Sequence, residues 1–135
     1  MRAHPNLLLV QKGLQKGSFG ITPDELEGDE LAEYVRLNVL AATEELHEAM
    51  RCISWKPWAT EGRGEWRKDL KKRDEMGDGA LVDAKDQFVE ELVDVLHFVF
   101  NLFNVVKGTT WDEVVSRYLE KASENARRQK EGYRG

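Results

Sequence analysis

Two short stretches of this chain place carboxylates at a spacing that suits metal chemistry. One is Glu44-Glu45-Leu46-His47-Glu48 and the other is Glu90-Glu91-Leu92-Val93-Asp94. In each, two acids three residues apart, Glu45 with Glu48 and Glu91 with Asp94, fall on one face of a helix. Leu46, Leu92, Val93 and Val95 crowd around them, so some of these carboxylates should point inward, and a buried acid demands a partner. Hard divalent cations such as magnesium take oxygen ligands. Two acid pairs facing each other across a helical core would supply enough of them for one or two ions.

The bland alternative is a pair of solvated acidic faces, the ordinary meaning of a single Glu-x-x-Glu in a helix. Two pairs, each preceded by a further Glu in an apolar helix, are less easily explained that way, but spacing alone leaves both readings open. A di-iron centre would use Glu-x-x-His, and Glu44 with His47 keeps that reading open. His97, three residues after Asp94, reads as a packing residue or as an outer partner of a ligand.

These acids need helices to carry them. Residues 5 to 16 have apolar positions at Leu7, Leu8, Val10 and Leu14, which predict a short helix starting at Pro5 and stopping near Gly17, followed by a loop to Gly28. Asp29 can cap a long helix through about Ile53, with Leu31, Val35, Val39, Ala42, Leu46 and Met50 as its buried stripe. The pattern then dissolves between Ser54 and Gly79 into a long loop with a possible helical turn near Trp66 and a basic stretch from Arg67 to Arg73. Loops this long inside a compact domain are more often functional than mere connectors, and these cations are candidates to meet a phosphate.

Asp83 opens the next helix. Its apolar residues, among them Phe88, Leu92, Val95, Leu96, Val99 and Phe103, cover more than one face before Gly108, which makes it central or dimer-forming. Thr110 and Glu113 have capping-box spacing and start a last helix running to about Gln129. No stretch alternates with a strand's period, so the expected fold is all-α, a bundle of four or five helices in one domain of 135 residues.

Composition narrows the function classes. Hydrophobic residues make up 41% and charged residues 33%, as in an ordinary folded domain. The net charge of -5 disfavours a nonspecific nucleic-acid binder. Cys52 is the only cysteine, which rules out an internal disulfide and a Cys-rich zinc site and fits a reducing cytoplasm. The run Leu7 to Val10 is too short for a signal core or a membrane span.

With these residues in view, the chain resembles the all-α nucleoside triphosphate pyrophosphatase superfamily, whose metal motif is EExxE on one helix and ExxD on another. The matches here are EELHE and EELVD. It is closer to the dimeric, dUTPase-like branch than to the MazG-like one. Gln11 and Leu14 match that branch's N-terminal motif, Trp55-Lys56-Pro57-Trp58 its Trp-rich segment, and Leu96-His97-Phe98 the stretch after the second acid pair. Lys121, Asn125, Arg128, Gln129, Gly132 and Tyr133 match its C-terminal signature. Gln15 stands where the branch has Asn, a departure that bears on recognition of the base and not on the metal.

The resemblance implies hydrolysis of a deoxynucleoside triphosphate, dUTP first among them, to the monophosphate and pyrophosphate. It implies magnesium, replaceable by manganese, on Glu45, Glu48, Glu91 and Asp94, with Glu45 or Glu48 as the base that takes a proton from water. Lys56, Lys121 and Arg128 would steady charge on the departing pyrophosphate, while Gln11, Gln15 and Asn125 would read base or sugar. Asn38 would reach the nucleotide or satisfy a buried amide, Trp58 would stack on a base or pack in the core, and Tyr133 would lie over the nucleotide. A homodimer or higher homo-oligomer is expected, with neither nucleic acid nor membrane as partner. The other readings are a MazG-like enzyme for another deoxynucleotide, such as a purine one, and a noncatalytic helical dimer with solvated acids.

Overall fold

The two acid pairs lie on two α-helices, as their spacing requires. The structure, a computed structural model, describes residues 4–59, 62–67, 71–72 and 81–132, and for 71–72 and 81–82 the backbone alone. Among them are four α-helices: α1 (Leu7–Phe19), α2 (Gly28–Met50), α3 (Ala84–Phe103) and α4 (Trp111–Lys130). The fold is all-helical. Its contacts divide into two compact units, Glu27–Leu102 and Met1–Leu26 with Phe103–Gly135.

The unit that carries the acids holds α2 and nearly all of α3. The Asn38 side chain donates to the Tyr34 carbonyl at 2.8 Å and accepts from the Asn101 amide at 2.8 Å. Asn101 is 3% exposed and Asn38 is buried with it, so this tie stands away from water, where an unmade hydrogen bond would be costly. At the other end Glu91 of α3 meets Glu45 and Glu48 of α2. From Asn38 to Glu48 and from Glu91 to Asn101 is the same interval along each helix, about 15 Å of rise, so the two polar contacts fix an antiparallel register.

Which face of α2 is buried departs from the expected stripe. Val39 and Leu46 are exposed, and the buried line runs through Tyr34, Asn38, Ala42, Glu45 and Ala49, with Glu45 half-buried. On α3 the buried positions are Ala84, Glu91 and Asn101, whereas Leu92, Val93 and Leu96 face outward. The apolar pattern misleads here because the faces turned inward carry polar residues at their centre.

Helix ends follow capping chemistry more than apolar pattern. Asp83 caps α3 as expected, its Oδ1 accepting from the Asp86 N–H at 2.9 Å. The first residue of α2 is Gly28, one before the expected Asp29 cap, which leaves Asp29 and Glu30 in the first turn where their charge meets free N–H groups. It stops at Met50 instead of Ile53, because Ile53 pairs with Trp66 in an isolated antiparallel bridge. That bridge also replaces the helical turn expected near Trp66. β1 (Lys71–Lys72), inside the expected loop, and β2 (Leu81–Val82), just after its expected end at Gly79, form a minimal antiparallel ladder, Lys71 opposite Val82 and Lys72 opposite Leu81.

In the other unit, α1 starts after Asn6, whose Oδ1 accepts from the Leu9 N–H at 3.1 Å, so Pro5 lies before the helix. The helix runs through Gly17 and ends at Gly20, where φ of 68° permits the N–H to turn back on the Gln15 and Lys16 carbonyls. Lys12 pairs with Asp24 at 2.9 Å and holds that carboxyl below its ordinary range. The buried Asn104 amide donates to the Leu8 carbonyl at 2.9 Å. Thr110 caps α4 by accepting from the Glu113 N–H at 3.1 Å, while the Glu113 carboxylate pairs with Arg117 one turn on.

The asparagine tie predicts a defined coupling. Asn38→Leu or Asn101→Leu alone should cost about 2 kcal/mol by stranding the remaining amide, and the double variant should cost less than the sum. Urea melts of the four proteins measure the coupling, which is expected near 1 kcal/mol.

Candidate metal centre

Glu45, Glu48 and Glu91 each bring a carboxylate oxygen to within 4.8 Å of the others. Glu45 and Glu48 come from the last two turns of α2, and Glu91 comes from the second turn of α3. Glu91 is 7% exposed and the other two are half-buried. The Gln87 amide, one turn earlier on α3, donates to Oε1 of Glu91 and fixes that carboxyl. Oε2 of Glu91 and Oε2 of Glu45 are both closed off from solvent and accept no hydrogen bond.

Three acids this close repel one another by on the order of 3 kcal/mol for each ionised pair at an effective dielectric near 20. A proton is one remedy. Two carboxylates have no hydrogen to share, but one proton between Glu45 and Glu91 makes a hydrogen bond. That bond, then burial, then the charges of Glu48, Glu91 and Asp94 push Glu45 from its ordinary 4.5 up to about 8. Glu48 is raised as well, chiefly by burial and then by its hydrogen bond to Glu91, against a lowering from the nearby Arg51. The other remedy is a cation. Two water-shielded oxygens without donors, beside a third carboxylate, are a donor set that fits a hard divalent ion.

Asp94 is exposed and lies outside this trio, although its charge still acts on Glu45. Glu44 and His47, the pair of the iron reading, are both exposed and outside it too, as is His97. Asn38 is engaged on Tyr34 and Asn101, which is the buried-amide role. Trp58 is 70% exposed and meets Trp55 edge-on at 5.8 Å, so neither ring belongs to the core. Lys56 is exposed beside them.

Comparison with known protein families, curated proteins and solved structures finds no match to this chain.

The remaining expected residues belong to the other unit. Gln11 and Gln15 are buried on one face of α1. Lys121, Asn125 and Arg128 lie along one exposed face of α4, with Arg128 joined to Glu124 at 3.1 Å. Arg127 and Arg128 together hold Glu124 down to about 2. Tyr133 lies outside the described residues. Sequence reading did not select Gln87, whose spacing of four before Glu91 was the available signal, or Asn101, whose partner is remote in sequence.

A carboxyl whose pKa is raised in the fold stabilises the protein fully only below its ordinary value, and that contribution is lost as pH rises through the folded value. Without divalent cations, melting temperature should therefore fall between pH 4.5 and about 8 and level off above. Glu45→Gln should flatten that slope. An equal slope in the variant would show that Glu45 is not its source.

Proposed function

We propose that this chain is a magnesium-dependent nucleoside triphosphate pyrophosphatase that cleaves a deoxynucleoside triphosphate, dUTP foremost, to the monophosphate and pyrophosphate. The observation that carries this reading is the convergence of Glu45, Glu48 and Glu91, with two buried oxygens left without donors. Its support from sequence is the paired EELHE and EELVD motifs together with the Lys121 to Tyr133 signature.

Glu45, Glu48 and Glu91 would hold the ion, with Asp94 one turn further along α3 from Glu91. When bound, magnesium supplies neutralisation of phosphate oxygens and a more acidic water. Glu45 or Glu48 would take the proton of a water attacking the α-phosphorus, while the bond from that phosphorus to the α–β bridging oxygen would break and its electron pair would leave on pyrophosphate. By the resemblance, Lys56, Lys121 and Arg128 would steady the phosphates, Gln11, Gln15 and Asn125 would read base or sugar, and Trp58 and Tyr133 would cover the nucleotide.

The substrate's base is the less constrained part. Gln15 in place of Asn keeps a MazG-like preference for another deoxynucleotide in play. A noncatalytic dimer is the reading favoured by the apolar face of α3, where Val89, Leu92, Val93 and Leu96 are exposed. The same face supports a homodimer of the enzyme. No helix among the described residues is long and apolar enough to cross a membrane.

The purified chain, incubated with magnesium and each deoxynucleoside triphosphate in turn, should release pyrophosphate fastest from dUTP. Glu48→Gln should reduce the rate by about 10²-fold or more, and Asp94→Asn should reduce it as well. Unchanged activity in both variants would sink the proposed site. Equal or faster turnover of dATP or dGTP would remove the uracil assignment and leave the chemistry standing.

A further inference from the structure

Directly beyond the carboxylate trio, where α2 ends, lies a cavity of about 560 Å³ whose charged lining among the described residues is entirely cationic: Arg51, Lys56 and Arg67. Ser54 and Trp55 form part of its wall. The frame is built by backbone pairing and not by chance exposure. Ser54 N–H donates to the Glu65 carbonyl at 2.8 Å, Gly64 N–H to the Ser54 carbonyl at 2.8 Å, and Arg67 N–H to the Cys52 carbonyl at 3.0 Å. The turn between these strands of chain needs Gly62 and Gly64 at φ of 74° and 77°, which side-chain-bearing residues rarely adopt. Residues 52–54 and 64–67 are thereby clamped together, bringing Arg67 beside Arg51 from a distance in sequence.

Arg51 follows Glu48 by three residues, about one helical turn, and its charge reaches the Glu48 carboxyl. Arg51 also makes a loose ion pair with Glu44, at 4.0 Å with both groups exposed. A negative centre that suits a cation thus abuts a positive cavity that suits an anion. No Asn or Gln is found among the cavity's described lining residues, so the usual side chains for reading a base edge are missing there. Two guanidinium groups and an ammonium suit a diphosphate, because arginine forks bind phosphate oxygens in pairs. A concave basic site in a chain of net charge -5 fits a small polyanion better than a nucleic acid strand.

The geometry points to this cavity as a diphosphate site, in which Arg51 and Arg67, with Lys56, bind the terminal two phosphates of the triphosphate and then the released pyrophosphate. This assignment rests on the proposed function for its substrate, but the cavity's affinity for a diphosphate can be measured without turnover.

Inorganic pyrophosphate titrated into the full chain in EDTA, followed by calorimetry, should bind, and the affinity should fall with added salt. Arg51→Gln and Arg67→Gln should each weaken it about 10-fold or more, Arg51→Lys and Arg67→Lys less, and Glu91→Gln should still bind. Circular dichroism of each variant checks that it is folded, and the lysine variants carry the test if a glutamine variant is not. A non-hydrolysable α,β-imido deoxynucleoside triphosphate should displace the pyrophosphate, whereas the monophosphate should not. Absence of pyrophosphate binding, wild-type affinity in the folded arginine variants, or simultaneous binding of the triphosphate analogue and pyrophosphate would each overturn the assignment. Pyrophosphate binding that depends on the arginines in a chain that turns over no nucleotide would uphold the cavity and remove the enzymatic reading. Turnover without such binding would do the reverse.

Discussion

The arrangement of α2 and α3 hinges on an unfavourable interaction: three carboxylates are held within a few ångströms of one another with two of their oxygens shielded from water. Helices do not gather acids in this way for stability, since each ionised pair repels and each buried charge loses hydration. Such a cluster persists only when a proton or a cation offsets it and the surrounding structure holds the backbone in place. The raised Glu45 carboxyl is the protonic form of that compensation, and a divalent ion would be its functional form. A proton and a cation would compete for the same oxygens.

What resists the repulsion is the tie at the far end of the same helix pair. Asn38 and Asn101 are buried and hydrogen-bonded across α2 and α3, and Tyr34 supplies the remaining acceptor. Because both helices traverse the same interval between the asparagine tie and the acids, a slip by one residue on either would break the amide contact and part the carboxylates together. Gln87 adds a local constraint by holding Glu91 from its own helix. The inward face of this helix pair is therefore organised by polar groups at defined positions. Many of the leucines and valines of these two helices, Leu37, Leu40, Leu46, Leu92 and Leu96 among them, lie at its margins or face outward.

The chain beyond Met50 extends the same logic of charge. A negative centre at the helix end is followed by a segment rich in cations, and the backbone pairing of residues 52–54 with 64–67 turns that segment back toward the helix. The glycines at 62 and 64 permit the turn. Opposite charges placed side by side on one frame suit a ligand that itself carries a metal and a polyanion.

The sequence by itself determined the helical class, the caps at Asp83 and Thr110, and the two helices that bear the acids, because these depend on local spacing and on side chains reaching their own backbone. The acid motifs were equally legible, down to Glu45, Glu48 and Glu91. Tertiary structure decided the rest. Whether Val39 and Leu46 or Asn38 and Glu45 lay on the buried face depended on which polar groups found partners across the helix pair, and apolar periodicity does not encode that. The exposure of Asp94, the end of α2 at Met50 and the arrival of Arg67 beside Arg51 likewise follow from contacts between residues remote in sequence. Local chemistry chose the carboxylates, and long-range pairing chose which of them converge.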